Sequence, residues 1–313
     1  MIKQAALANF KLGIDLGGTK TEVVVLDPES RPIFRKRMKT PAQDYAAILG
    51  LIAQLVTEAE QFVQFELPIG IGTPGAISPQ SGLLRNSNTV CMNGRALRSD
   101  IEACLQRSVT IENDANCFAL SEALTGAGRD YEVVFGVIIG TGTGGGLVVR
   151  QQLLKGLHRN AGEWGHNPLP WLTDLDSAPG CYCGKSACVE TFVSGSGLAR
   201  SFQLENAKAL SCEEIVQAAR DGEKSGLLAM ERYYDQLARG LAQVINIIDP
   251  DVIILGGGLS NIGEIYQQVP ARLGDYVFSD YNETPLLPAF HGDASGVFGA
   301  ALLSDVDSGK STD

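Results

Sequence analysis

Hydrophobic positions recur along the chain with two periods, and the switch between them marks out the elements. Residues 12–17, 22–27 and 32–40 are short β-branched or alternating runs, separated by Gly17–Gly18 and Asp27–Pro28. Runs of this length, bounded by turn residues, predict a three-stranded antiparallel meander. The period then lengthens. Across 44–65, Tyr45, Ile48, Leu49, Ile52, Leu55, Val56 and Ala59 fall at helical spacing, with Pro41 upstream as a start signal. A buried strand at 67–72, a helix at 96–107, a strand at 109–112 and a helix at 115–125 follow. The order is β-β-β-α-β-α-β-α.

The same order begins again at residue 133. A strand at 133–139, a glycine turn at 140–146, a strand at 147–150 and a short run at 153–157 precede helices at 189–204, 212–219 and 223–248. A strand at 252–255 and a last helix at 296–304 complete the pattern. Two strand, glycine turn and strand motifs imply a structural duplication. The expected organisation is a smaller lobe of residues 1–125 with about 298–313, and a larger lobe of 126–297 carrying the stretch around 162–190 as an insertion. A cleft between such lobes is where a ligand usually sits. The Ser-, Asp- and Gly-rich tail 305–313 is expected to fray.

Composition narrows the classes of function. The chain has 313 residues, 44% hydrophobic and 19% charged, enough for one large core or two lobes of about 150 residues each. Its 25 basic and 36 acidic residues leave a net charge of −11 and a pI near 4.8. That balance disfavours steering of nucleic acid or an anionic membrane. A bound phosphate must then be held locally, by backbone amides and a metal ion. Residues 1–10 lack the apolar core of a signal peptide, and no run reaches the roughly 18 apolar residues that span a bilayer. Seven cysteines without an export signal predict a reducing, cytoplasmic setting in which thiols can ligate zinc.

The stretch 162–190 carries the narrowest chemistry. His166, Cys181, Cys183 and Cys188 are the donor set of a closed tetrahedral zinc site. A disulfide loop or a group of free core thiols would use the same cysteines; the odd count and the missing export signal weigh against the first. Glu163 and Glu190 lie two or three positions from these donors, so a metal clamp would position both acids.

Three glycine turns follow predicted strands: Asp15–Leu16–Gly17–Gly18–Thr19–Lys20, Gly140–Thr141–Gly142–Thr143–Gly144 and Gly256–Gly257–Gly258. Glycine permits positive φ and close backbone approach, so successive N–H groups can converge on phosphate oxygens. One such turn reads equally as a hairpin; three in one chain point to a nucleotide. None is a P-loop, and none is a dinucleotide fingerprint opening a helix. Asp15 is placed either to cap its turn or to hold Mg²⁺, directly or through water. Glu112–Asn113–Asp114–Ala115–Asn116 spans a strand-to-helix junction, where α/β folds make ligand contacts. Asp114 is there either as the helix N-cap or as a carboxylate that takes the proton of a hydroxyl attacking a γ-phosphoryl group.

In this order the motifs resemble the ROK family of sugar kinases and repressors, over nearly the whole chain. Asp15-x-Gly-Gly-Thr-Lys is similar to its first phosphate motif and Gly140-Thr-Gly-x-Gly to its second. Gly72–Thr73–Pro74–Gly75 and 112–116 resemble its sugar-site segments. Glu163-x-Gly-His166 with Cys181-x-Cys-Gly-x-x-x-Cys188-x-Glu190 is its zinc signature and the most specific of the set. The resemblance implies an α/β, actin-like (ribonuclease H-like) two-lobed ATPase fold, ATP with catalytic Mg²⁺, structural Zn²⁺, and phosphorylation of a hexose, usually at O6.

Carried over by position, Asp114 would be the general base, and Gly75, Asn93, Asn113, Glu163, His166 and Glu190 would line the sugar. His166 would thus serve zinc and sugar together. Gly17, Gly18, Thr19, Lys20 and residues 140–144 would hold phosphates, with Gly256–Gly257–Gly258 near the adenosine. Ala187 departs from the family's glycine, and a methyl group there strains the turn if φ is positive. Residues 74–79, Asn93–Gly94 and 165–171 look most like the bacterial fructokinase or mannokinase branch, with the N-acetylglucosamine kinase branch the near rival. The expected reaction is fructose to fructose 6-phosphate. Repressors of the family place a helix-turn-helix domain before the first phosphate motif, whereas fourteen residues precede Asp15 here. The expected partners are therefore a sugar and ATP, with no nucleic acid and no membrane, in the family's usual homodimer.

Overall fold

A computed structural model describes residues 9–308. The first half runs β1 (Lys11–Leu16), β2 (Lys20–Leu26), β3 (Pro32–Lys39), α1 (Tyr45–Val63), β4 (Ile69–Thr73), a small hairpin of β5 (Ala76–Ile77) and β6 (Leu84–Arg85), α2 (Leu97–Leu105), β7 (Thr110–Asn113) and α3 (Asp114–Leu124). The second runs β8 (Val133–Ile139), β9 (Thr143–Val149), β10 (Gln152–Leu153), α4 (Glu190–Val193), α5 (Gly195–Asn206), α6 (Cys212–Arg220), α7 (Lys224–Ile248), β11 (Val252–Gly256), α8 (Ile265–Gln268), α9 (Pro270–Leu273), β12 (Leu286–Pro288) and α10 (Ser295–Ser308).

The duplication is visible in the sheets. One has the order β3-β2-β1-β4-β7 and the other β10-β9-β8-β11-β12. In each, an antiparallel meander is extended on its inner side by two parallel strands. This is the expected α/β, actin-like two-lobed architecture. Parallel pairs require helical crossovers, and the chain supplies them in both halves.

Helix α1 shows how the period-3.6 pattern becomes packing. Asp44 caps it by accepting from the Ala47 amide at 3.1 Å, and Gln64 ends it in the left-handed region at φ 67°. Ile48, Leu51, Ile52, Leu55, Val56 and Ala59 are buried in the first core, each large side chain contributing about 1.5–3 kcal/mol. At 19 residues, with mean hydropathy 1.3, it is long and apolar enough to cross a membrane, contrary to the expectation that no run qualifies. Its apolar face is instead spent on the first core.

Helices α3 and α10 lie back to back between the sheets, α10 against β1 and β4 and α3 against β8 and β9. They approach so closely that a Cβ on Gly299 would sit 1.7 Å from the Cys117 carbonyl oxygen. Several boundaries differ from the sequence reading for similar reasons. Residues 143–146 belong to β9 rather than to a turn, and Gly144 and Gly146 are bare because α3 packs there: an added Cβ would lie 3.0 Å from the Ala115 Cβ and 2.8 Å from the Ala115 carbonyl oxygen. The expected helix 189–204 breaks at Ser194, whose hydroxyl caps α5 by accepting from Gly197 N at 3.1 Å. The run at 153–157 yields only β10, while β5, β6, β12, α8 and α9 had no sequence expectation. Helix α10 continues to Ser308, through part of the tail expected to fray; 309–313 lie outside the described residues.

Candidate active site

Asp114 is the first residue of α3, and the capping alternative falls to its neighbour. The Asn113 side-chain oxygen Oδ1 accepts from Ala115 N at 2.9 Å and Asn116 N at 3.3 Å, while Asp114 Oδ1 accepts from Ala115 N at 2.9 Å. Burial lifts its carboxyl to about 6; the Ala115 amide pulls it back and the charge of Glu163 lifts it again. A carboxylate desolvated in this way is a competent proton acceptor near neutral pH. Asp15, at the end of β1, is pushed to about 7, first by burial and then by Asp114 and Glu22, against Arg37. Its carboxylate lies beside Gly296 in the first turn of α10, where an added Cβ would be 3.3 Å away. Two desolvated acids thus share one field, a deficit that a cation relieves.

The first glycine turn is tied from below by Thr40, whose hydroxyl donates to the Gly17 carbonyl at 2.7 Å and whose amide donates to Thr19 O at 3.0 Å. In the second turn Gly140 N donates to Gly142 O at 2.9 Å, and Glu190 accepts from Thr143 N at 2.9 Å. Neither turn uses positive φ; of the three, only Gly257 does, at 84°. The amides of Gly18, Thr19, Thr141 and Gly142 have no acceptor among the described residues. The Thr143 hydroxyl is likewise buried without a partner. Lys20 is exposed at the start of β2, and Gly258 lies in open space beyond Gly256, which packs on the Phe118 ring.

The expected sugar residues form two walls. In one, Asn113 donates to the Gly75 carbonyl at 3.1 Å, and Gly75, at φ 82°, lies so close to Arg85 that a Cβ would meet its carbonyl oxygen at 2.3 Å. Asn93, exposed, uses both ends of its amide on Ser87, accepting from N at 2.9 Å and donating to O at 2.8 Å. Its observed task is to hold that loop. In the other wall Glu163 is exposed and its carboxyl is raised, first by desolvation and also by Glu190, against His166 and Arg85. Arg85 closes one end, donating to the His158 carbonyl at 2.7 Å and to Asn160 at 3.0 Å.

The donor atoms of His166, Cys181, Cys183 and Cys188 lie within 4.8 Å of one another. Cys183 and Cys188 sulfurs are 3.6 Å apart, as are His166 Nδ1 and the Cys181 sulfur. Bonds of about 2.3 Å to a tetrahedral metal put donors roughly 3.8 Å apart, so the set fits zinc, and all the cysteines are free thiols. Ala187 does take the strained conformation, at φ 55°, with its methyl buried in the second core.

Several contributors escaped the sequence reading. Trp164 is buried and donates to the Gly144 carbonyl at 3.1 Å, which fastens Glu163 and His166 to β9. The exposed Tyr182 hydroxyl sits 3.0 Å from His166 Nε2, so one ring nitrogen faces the thiols and the other a phenol. Arg239 and Asp176 form a buried pair at 2.9 Å, and Arg239 also donates to Trp171 O at 2.8 Å, anchoring the loop between His166 and Cys181. A tryptophan beside Glu163 was the only one of these with a local sequence signal.

Comparison with known proteins agrees with this geometry. The family model described as "ROK family" matches residues 11–306. An N-acetyl-D-glucosamine kinase from Pectobacterium atrosepticum is 40% identical over 302 residues, 94% of this chain and 99% of its own. A ROK hexokinase from Thermus thermophilus superposes with TM-score 0.86 at 29% identity, covering 96% of this chain and 100% of that one. A ROK family glucokinase from Streptomyces griseus, in complex with glucose and AMPPNP, gives TM-score 0.75 at 25% identity over 94% and 98%. Matched along nearly its whole length by that model, the chain belongs to the ROK family.

Proposed function

We propose that this protein is an ATP-dependent sugar kinase that phosphorylates N-acetylglucosamine at O6. The observation that carries the kinase reading is Asp114, a desolvated carboxylate released from capping duty by Asn113. The sugar oxygen attacks the γ-phosphorus, the new O–P bond forms as the β–γ bridging bond breaks, and ADP leaves with that electron pair. The hydroxyl proton passes to a carboxylate oxygen of Asp114. The unpartnered amides of Gly18, Thr19, Thr141 and Gly142 and the Thr143 hydroxyl receive phosphate oxygens, and Gly256–Gly257–Gly258 border the adenosine. Asp15 would hold Mg²⁺, which when bound supplies positive charge to the β- and γ-phosphates. His166, Cys181, Cys183 and Cys188 would hold Zn²⁺, a closed site that supports Glu163 and Glu190.

The choice of sugar rests on relatives. The expectation of fructose drew on the runs at 74–79 and 165–171 and on Asn93–Gly94; the 40% identical relative bears the name N-acetyl-D-glucosamine kinase, and we take that substrate in place of fructose. The proposed lobes are 1–125 with about 298–313, and 126–297; the packing of α10 on β1 and β4 supports this, whereas α3 packs on β8 and β9 of the second sheet.

A coupled ADP-release assay across N-acetylglucosamine, glucose, mannose and fructose tests the substrate: kcat/KM should be highest for the first. Asp114→Asn should lower kcat by about 10²–10⁴-fold while sugar affinity and zinc content stay unchanged. Near-normal turnover in that variant would refute the assignment of the base.

A further inference from the structure

A hollow of about 190 Å³ borders the sugar wall at Gly75 and is lined by Thr73, Gly75, Ser78, Arg98, Glu112 and Arg159 among others. Arg98, near the start of α2, is half-buried, and its Nε is inaccessible and unpartnered. Three other arginines also have an unpartnered Nε, but Arg85, Arg107 and Arg200 each bond through a terminal nitrogen, and the Arg239 Nε is 3.0 Å from Asp235 Oδ2. For Arg98 neither a hydrogen bond nor an ion pair occurs among the described residues.

Its position makes this costly twice over. A buried, unsatisfied guanidinium nitrogen forfeits its solvation, and a cation in the first turn of a helix opposes the helix dipole. Ala96 at the N-cap offers no side chain, and the acid of the first turn, Asp100, accepts from the Tyr45 hydroxyl at 2.6 Å. Opposite, Arg159 donates to Glu112 Oε2 at 3.2 Å, and the Lys155 ammonium is 3.9 Å from the same oxygen. The other oxygen of Glu112 accepts from Asn113 N at 3.1 Å and Asn116 Nδ2 at 3.2 Å. Among the lining residues two arginines face one glutamate, which leaves one positive unit at the hollow in a chain of net charge −11. The larger hollow at Asp249, Asp251 and Glu283 is acidic and suits no anion.

We propose that this hollow is a second anion site, taking the phosphate group of a small phosphomonoester or free inorganic phosphate, with Arg98 as its principal donor. Arginine matches phosphate oxygens through paired N–H groups. The hollow shares Gly75 with the sugar wall, and the Gly75 carbonyl holds Asn113. An occupant therefore bears on the loop that positions the sugar.

The test is calorimetric titration of the full chain with inorganic phosphate and, separately, N-acetylglucosamine 6-phosphate. It is run with and without N-acetylglucosamine and magnesium AMPPNP filling the cleft. The expected result is one further molecule of either anion per chain with the cleft filled, and at least tenfold weaker binding in Arg98→Gln and in Arg159→Gln. Arg129→Gln, an exposed arginine paired with Asp130, should bind as the parent does. Absence of binding beyond the cleft, or equal affinity in both hollow variants, overturns the proposal. Two variants keep the test decisive if one fails to fold. A wrong sugar would appear as absent sugar binding, while the dependence on Arg98 is read independently of it.

Discussion

At the scale of single residues, Asp114 sets the sharpest expectation. A base must be ionised, and burial favours the neutral form, so its carboxyl stands at about 6 rather than at the usual value. The kcat/KM profile should be flat above pH 7 and fall about tenfold per unit below pH 6; a flat profile down to pH 4.5 would remove Asp114 from the reaction. The same shift costs stability. A carboxyl raised on folding destabilises the native state above its folded value, and the effect disappears once both states are protonated. Asp114→Asn should therefore raise stability at pH 8 by about 1–3 kcal/mol, a gain that vanishes near pH 3 in thermal melts. Ala187 balances two opposed terms. Its left-handed φ of 55° costs about 1–2 kcal/mol, whereas glycine would lose a buried methyl worth about 0.8 and add chain entropy of about 0.5–1. Ala187→Gly is expected to shift stability by less than about 1 kcal/mol and leave zinc content unchanged.

At the scale of elements, the 166–188 segment is held at two separate points, of which the sequence revealed one. Its cysteines and histidine cluster locally, so spacing alone could suggest a shared metal. Asp176 and Arg239 are 63 positions apart, and no local pattern ties a loop acid to a cation in the middle of α7. The meander and the βα order were legible because periods of 2 and 3.6 are local; the three-residue β12 was not, since it exists only by pairing with β11. The hidden anchor has consequences that separate it from the metal. Asp176 and Arg239 side chains are 1% and 2% exposed, and Asp176 is lowered to about 2 by the Arg239 hydrogen bond and its neighbours, against burial. A carboxyl lowered on folding stabilises above its unfolded value, so this contribution is lost only as pH falls from about 4 towards 2. Asp176→Ala removes one of the two carboxylates on Arg239 and leaves Asp235 at 3.0 Å, so it should cost about 1.5–3 kcal/mol, measured by urea unfolding, with zinc still bound. Chelation should have the complementary signature: about one zinc per chain released, a raised KM for sugar, and the Asp176 pair intact. Equal zinc content before and after purification in strong chelator, with no metal at all, would sink the metal reading.

At the scale of the whole molecule, the two halves are joined at a buried acid that no local pattern singles out. Glu122, near the end of α3, has no exposed surface. One of its oxygens accepts from Ala127 N at 3.0 Å and Phe290 N at 2.9 Å, and the other from His291 N at 3.0 Å and the Ser295 hydroxyl at 2.8 Å. His291 belongs to this joint, with Nε2 2.9 Å from the Thr125 hydroxyl. The acid sits at the N-terminus of α10, where the helix dipole favours it, so it fastens the end of α3 to the start of α10. The far end of α3 carries Asp114, and the first turn of α10 flanks Asp15. Charge-assisted bonds contribute about 1.5–3 kcal/mol each. In Glu122→Gln an amide replaces one oxygen and confronts donors with a donor, so two such bonds are lost. The variant should unfold about 3–6 kcal/mol more easily, whereas Glu122→Asp, which keeps both oxygens on a shorter stem, should lose less. Because the joint serves both helices, the loss should appear as one cooperative transition in calorimetry. Two separate transitions in Glu122→Gln, or an unchanged midpoint, would contradict the joint as the link between the halves.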